Sequence, residues 1–399
     1  MNNRLELLQP YPFERMNTLK DGVVGNPSFP HVALSIGEPK HPPPPAIVKL
    51  LSDPATLQGD LGVYPSTRGS AALREAISAW LLHRFQAEVS PDNQILPVSG
   101  TREALFSFAQ AVLTGSASSL CLMPNPFYQI YEGAALLGGA QPYFLNATAE
   151  NNYLPDHRAV PEAVWQRCEL LFVCSPGNPS GTILPPGEIA WLLEQARRYN
   201  FVIAADECYS ELYPDEQNPP AGFLQVAAQT GDESFEHLVV FHSLSKRSNL
   251  PGLRSGFVAG DARILDRYFT YRTYEGCALP AHVQRASAAA WSDEQHVVEN
   301  RSAYRAKFAA VSPVLSEVFD LKAPEGGFYH WLNVTGDDQH FALGLYRDVN
   351  ITVLPGSFIS RTSDGINPGA GHIRVAWVAD LESSLEAAQR LVSWVRNRA

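Results

Sequence analysis

Lysine is scarce in this chain. Six lysines stand against 24 arginines, and from Leu50 to Ala306 the only one is Lys246. Cysteine is scarce too: Cys121, Cys168, Cys174, Cys208 and Cys277 form no CxxC pair and no cluster with histidine at metal-ligand spacing. That argues against a zinc framework or a disulfide scaffold, and no metal is expected. No apolar run is long enough to span a bilayer, and residues 1–6 lack the apolar core of a signal peptide, so a cytoplasmic protein is expected. Positive charge is in deficit, with a net charge of −11, and an acidic surface does not attract nucleic acid or anionic membranes. No GxGxxG follows an early strand-like run, which removes the nicotinamide-binding oxidoreductases from the front rank.

What is present describes a large globular protein. A chain of 399 residues that is 45% hydrophobic and 18% charged exceeds what one core usually organises, so two lobes are expected. Helical segments at 46–52 and 70–85 precede apolar runs at 119–123, 141–145, 170–174, 201–205, 238–241 and 256–259, most of them separated by helix-period stretches. Strands alternating with helices imply an α/β architecture, a mostly parallel sheet covered by helices that takes ligands at the carboxyl ends of its strands. From about Ala281 one long helical pattern runs to Phe319, followed by strand-like segments at 327–332, 351–354 and 372–377 and a last helix at 381–396. The expected division is an arm with part of the small domain (1–45), a large domain (46–280), and a smaller α+β domain entered by a long connecting helix (281–399). Residues 217–236 read as an exposed loop with one helical turn.

Lys246 follows the run Leu238-Val239-Val240-Phe241 and sits in the hydroxyl-rich turn Ser243-Leu244-Ser245-Lys246. A lysine amine can lose its proton and attack a carbonyl, whereas a guanidinium stays charged. In a protein that uses arginine for its other cations, this lysine reads as kept for its amine.

Four groups accompany it. Asp206 ends the run Ile203-Ala204-Ala205, with Tyr209 three residues on; a helix N-cap is the alternative reading of the aspartate. Ser175-Pro176-Gly177-Asn178-Pro179-Ser180-Gly181 is a rigid turn after another apolar run, and it presents the Asn178 amide. Ser99-Gly100-Thr101-Arg102 enters a helix whose free N–H groups suit a dianion, with Ser243 and Arg254 as further anion ligands; an ordinary helix cap is the alternative. Arg374 interrupts the apolar strand His372-Ile373-Arg374-Val375-Ala376 and calls for an anion, either a substrate α-carboxylate or an internal salt bridge. Each group fits one task in holding pyridoxal 5′-phosphate. A carboxylate at the ring nitrogen favours the pyridinium, a phenol and an amide can hydrogen-bond the ring's O3′, the helix entrance takes the phosphate, and the lysine captures the aldehyde.

Taken together, Gly37-Glu38-Pro39, Tyr64, Gly100-Thr101, Tyr128, Asn178-Pro179, Asp206 with Tyr209, Ser243 with Lys246, Arg254 and Arg374 resemble the fold-type I pyridoxal-phosphate enzymes of the class I/II aminotransferase family. The resemblance covers nearly the whole chain. It implies that Tyr128 stacks on the pyridine ring, that Gly37 lies at the substrate, and that Tyr64 reaches the phosphate of a second subunit, which makes the protein a homodimer with shared sites. Gln129 stands where the family often has proline. Segments 243–256 and 271–277 resemble the subgroup that acts on succinylated diaminopimelate in bacterial lysine biosynthesis, which implies glutamate/2-oxoglutarate and a succinylated amino/keto dicarboxylate as substrates. Such a substrate needs a further cation, for which Arg272 and Arg247 are the candidates, with solvated surface arginines as the alternative. Other class I aminotransferases, for aspartate, alanine or aromatic amino acids, and carbon–sulfur lyases share the same core residues. A binding module derived from this fold would tolerate loss of Lys246, Asp206 or Arg374, and all three are present.

Overall fold

The computed structural model describes residues 1–334 and 336–398. Near the start of the chain lies a two-residue strand, β1 (Val32–Ala33), whose partner comes only near the other end. Among the described residues seven strands then form the main sheet: β2 (Ile95–Val98), β3 (Leu120–Asn125), β4 (Gln141–Asn146), β5 (Cys168–Cys174), β6 (Val202–Asp206), β7 (Leu238–Ser243) and β8 (Gly256–Gly260). Their order is β2-β8-β7-β6-β5-β3-β4. Only β8 runs against the others, paired antiparallel to both β2 and β7.

Period-two geometry explains why these runs are apolar throughout instead of alternating. Leu171, Val173, Ile203, Ala205 and Val240 enter one core, while Leu170, Phe172, Ala204, Val239 and Phe241 enter another on the opposite face. Both faces are therefore buried under helices. The carboxyl ends of β2, β3, β5, β6 and β7 share one edge, and β8 starts there because Gly256 pairs with both Ser243 and Val98. The turns carrying Gly100, Tyr128, Asn178, Asp206 and Lys246 are thereby gathered along one rim.

A second layer is built from β9 (Tyr329–Asn333), β10 (Ile351–Thr352), β11 (Leu354–Pro355) and β12 (His372–Ala376). Strands β11, β12 and β9 form an antiparallel sheet, and β10 pairs in parallel with β1. The apolar run at 351–354 is thus two strands that change sheets at Val353. Met16 and Leu34 of the arm pack with Val311, Ile373, Trp377 and Leu391 in the core of this layer.

Two expectations are revised. The long helix from Ala281 is two helices, Ala281–Trp291 and Gln295–Leu315, interrupted where the Asp293 carboxylate accepts from the backbone N–H of Gln295 at 3.0 Å. The first of them sends Val283, Ala286, Ala290 and Trp291 into a core of the main sheet, so we propose that the large domain ends at about Trp291 and not at 280. The segment 217–236, expected to be an exposed loop with one helical turn, carries the longer helix Phe223–Gln229, whose Phe223, Leu224, Val226 and Ala227 are buried. An i, i+1, i+3, i+4 apolar pattern over so short a stretch is easily taken for loop.

Candidate active site

The strand ends of the main sheet, the arm and β12 enclose a cleft of ≈ 560 Å³. Lys246, Asp206, Tyr209, Asn178, Arg374, Tyr128, Thr101, Arg102, Ser243, Arg254 and Gly37 all line it. Gly37 and Arg374, 337 positions apart, thus meet in one cavity.

Lys246 lies on the short helix Leu244–Arg247 that follows β7. Its Nζ donates to the Gly37 carbonyl and lies 5.4 Å from the centroid of the Phe328 ring. Burial, reinforced by the charges of Arg374 and Arg254, lowers its pKa from 10.5 to about 8. A lysine in that state is neutral in about a tenth of molecules at pH 7, against fewer than about one in a thousand for an ordinary lysine. Capture of added pyridoxal 5′-phosphate by the apoprotein, followed by absorbance, is therefore expected to accelerate with rising pH and to level off above a midpoint near 8. A midpoint near 10 would remove the perturbation. Asn300, a buried residue of the second layer, donates to the backbone carbonyls of Lys246 (3.1 Å) and Arg247 (3.2 Å), which ties the turn to the helix Gln295–Leu315.

Asp206 is buried at the end of β6. Its carboxylate accepts from the Tyr131 hydroxyl at 2.6 Å and from the backbone N–H of Cys208 at 3.3 Å. These donors do not offset desolvation, and burial raises its pKa above 3.8. A carboxylate so placed is short of a cation, which a protonated ring nitrogen would supply. Tyr209 directs its hydroxyl to that of Tyr329, 2.8 Å away.

The anion end is built on Gly100 and the helix Thr101–Val112. Gly100 has φ +88°, and a Cβ there would collide with the Arg254 guanidinium. The glycine is thus required by conformation and by the approach of the arginine. Arg254 donates to the Pro251 carbonyl at 3.0 Å, and Ser243 Oγ accepts from the Ser245 N–H at 3.1 Å. Gly100→Ala is expected to displace Arg254 and to weaken cofactor retention about tenfold or more, measured as release on dialysis; unchanged retention would separate Arg254 from anion binding.

Arg374, 5% exposed, reaches this rim from β12. It donates to Asn178 Oδ1 at 2.8 Å and to the Ser35 carbonyl at 2.7 Å, its Nε has no partner, and its guanidinium lies 4.5 Å from the Tyr329 ring centroid. No carboxylate among the described residues pairs with it, so the internal salt bridge is not found. A buried guanidinium with only neutral acceptors is a ready carboxylate site.

The two arginines expected to meet a distal carboxylate do not reach the cleft. Arg272 is fully buried, donating to Glu103 at 2.6 Å, to Tyr268 at 3.2 Å and to the Cys277 carbonyl at 2.7 Å. Arg247 is buried between Trp80 and Trp291 and paired with Glu294. Both are internal ion pairs, neither solvated nor free. Tyr64 is fully exposed on the surface of this single chain, outside the cleft. Gln129 opens the helix Gln129–Gly138 and donates to the Phe127 carbonyl at 3.1 Å. Tyr131, Asn300, Tyr329 and the arm residue Tyr11 escaped sequence reasoning, because each gains its role from a partner more than 50 residues away.

The lysine amine, the uncompensated carboxylate and the anion cradle fit pyridoxal 5′-phosphate. Comparison with known proteins agrees. Residues 30–391 match the family "Aminotransferase class I and II". An aminotransferase from Neisseria meningitidis is 49% identical with a TM-score of 0.93, covering 98% of this chain and 99% of that one. LL-diaminopimelate aminotransferase of Syntrophobacter fumaroxidans is 30% identical over 97% of each chain. A probable N-succinyldiaminopimelate aminotransferase from Thermus thermophilus is 26% identical with a TM-score of 0.83, over 96% of this chain and 99% of that one. With this fold, this cleft and these relatives, the chain belongs to the class I and II aminotransferases, fold-type I enzymes that depend on pyridoxal 5′-phosphate.

Proposed function

We propose that the protein transfers the amino group of glutamate to N-succinyl-2-amino-6-oxopimelate, reversibly, as a cytoplasmic homodimer in lysine biosynthesis. The observation that carries the amino-acid reaction is Arg374, a buried guanidinium with only neutral acceptors, in one cleft with the Lys246 amine. Arg374 and Asn178 grip the α-carboxylate of the amino acid, and the Gly37 backbone flanks it. Lys246, its pKa lowered toward neutrality, takes the proton from the substrate Cα and delivers it onward as base and then acid. The cofactor, when bound, supplies an electron-withdrawing ring that stabilises negative charge at that carbon. Asp206, oriented by the Tyr131 hydroxyl, would pair with the ring nitrogen and favour its protonated form. Tyr209 and Asn178 would hydrogen-bond O3′, Tyr128 would pack on the ring, and Gly100, Thr101, Arg102, Ser243 and Arg254 would hold the phosphate. Tyr64 of one subunit reaches the other subunit's phosphate, consistent with its complete exposure here.

The substrate assignment draws support from segments 243–256 and 271–277 and from the Thermus relative's name. A second reading, LL-diaminopimelate itself, is favoured by the name of the curated relative from Syntrophobacter fumaroxidans, which the chain matches over 97% of its length. The visible spectrum of the holoenzyme distinguishes them. Loss of the lysine-bound cofactor band on adding N-succinyl-LL-diaminopimelate, and none with LL-diaminopimelate, is expected. The reverse pattern selects the second reading, and bleaching by neither but by another amino acid overturns both.

A further inference from the structure

The side-chain amide of Asn300 is used completely. It is buried on the helix Gln295–Leu315, and both of its donors and both of its acceptor positions are taken. Nδ2 donates to the backbone carbonyls of Lys246 at 3.1 Å and Arg247 at 3.2 Å, while Oδ1 accepts from Asn249 Nδ2 at 2.7 Å and from His41 Nδ1 at 2.8 Å. The last of these bonds fixes the histidine tautomer. Oδ1 can only accept, so Nδ1 of His41 carries the hydrogen. Burial lowers the pKa of this ring, and its Nε2 has no partner, as suits a neutral imidazole with a bare nitrogen there. His41 also packs on Tyr304, one helical turn beyond Asn300, with ring centroids 4.5 Å apart. Tyr304 in turn stacks on Phe328, whose ring centroid lies 5.4 Å from Lys246 Nζ. The arm thus meets Lys246 twice: Gly37 accepts from its amine, and His41, four residues on, holds its main chain through Asn300.

We propose that Asn300 and His41 are positioning residues for Lys246, fixing the main chain of its turn so that the freed amine moves by side-chain rotation alone and stays buried beside the substrate Cα. The inference rests on the aminotransferase reading of Lys246. Neither Asn300 nor His41 lines the cleft, so each acts only through the lysine turn. A displacement of about 1 Å at a reacting group can cost about 10²-fold in rate, and a turn free to shift forfeits part of that alignment. An amine that drifts outward also regains solvent, which raises its pKa.

Asn300→Leu makes the test, since it keeps the volume, adds no charge and removes all four bonds. In the holoenzyme, with the glutamate half-reaction followed at the cofactor band, it is expected to lower kcat about tenfold or more and to change KM for glutamate less than about threefold, because Arg374 and Asn178 are untouched. In the apoprotein, the pH midpoint for capture of added pyridoxal 5′-phosphate, near 8 in the wild type, should rise by about one pH unit, a change that a loss of stability alone does not produce. His41→Phe keeps the ring on Tyr304 and loses the N–H, so it should move kcat and the midpoint in the same direction by smaller amounts. His41→Asn can still donate to Asn300 and should retain most of the turnover. Thermal melts check that each variant is folded, and if Asn300→Leu is not, His41→Phe against His41→Asn decides. Turnover like wild type in His41→Phe, a midpoint that stays near 8, or a KM that rises as much as kcat falls overturns the proposal and leaves the aminotransferase reading standing. A wild-type holoenzyme that responds to no amino acid overturns both.

Discussion

Lys246→Ala is expected to lose at least about 10⁴-fold in turnover while remaining folded and able to hold the cofactor without a covalent link. Positioned acid–base catalysis alone contributes about 10²–10⁴-fold, and the same side chain also supplies the covalent anchor. Little of the fold depends on it. Beyond the Gly37 carbonyl the amine has no hydrogen-bond partner among the described residues, and the backbone of the turn is held by Asn300. Single-turnover absorbance with glutamate measures the loss, and a thermal melt checks the fold. Turnover within about tenfold of wild type would remove Lys246 from the mechanism, since no other lysine lies in the cleft.

The second large effect is expected at Asp206, where activity and stability should move in opposite directions. Asp206→Asn keeps the shape and the Tyr131 contact but removes the charge that favours a ring pyridinium. An opposite charge at that range is worth one to three pKa units, so a loss of about 10- to 10³-fold in turnover is expected. The apoprotein should gain. Burial raises the folded-state pKa of Asp206 above 3.8, so the folded chain holds this proton more tightly than the unfolded one. Its full stability is present below the ordinary value and is eroded as pH rises through the raised one. Apo Asp206→Asn should therefore melt above apo wild type at neutral pH, with the difference disappearing in acid. Added cofactor should stabilise the wild type more than the variant. A variant that melts lower at pH 7 without cofactor would show that the carboxylate is already compensated by the protein.

Much of this site is legible along the chain because its groups sit at strand ends. Asp206 and Lys246 each follow an unbroken apolar run, and a parallel sheet places such positions on one rim whatever the details of packing. Gly100 is legible for a related reason, because a glycine entering a helix marks a backbone that a side chain would disturb, and its φ of +88° bears this out. The arginines mark the limit. Arg247 and Arg272 stand in segments with the right resemblance, yet both are spent on Glu294 and Glu103, acids 47 and 169 residues away. Nothing in local spacing separates a guanidinium that is paired from one that is free. The helix Ala281–Trp291 makes the same point, since its apolar face is evident in the sequence but its attachment to the main-sheet core is not.

By itself, then, the sequence determined which chemical groups are available and which strand ends carry them, because hydrophobic period and turn residues act over a few positions. The tertiary structure decided which charges remain uncompensated. Arg374 is left with neutral acceptors, Asp206 with the Tyr131 hydroxyl, and Arg102 with the Tyr11 ring. Those pairings join β12 to the turn after β5, the helix after β3 to the end of β6, and the arm to the first helix of the anion cradle. Desolvation and charge pairing depend on distance in space, and only the packed chain sets that distance.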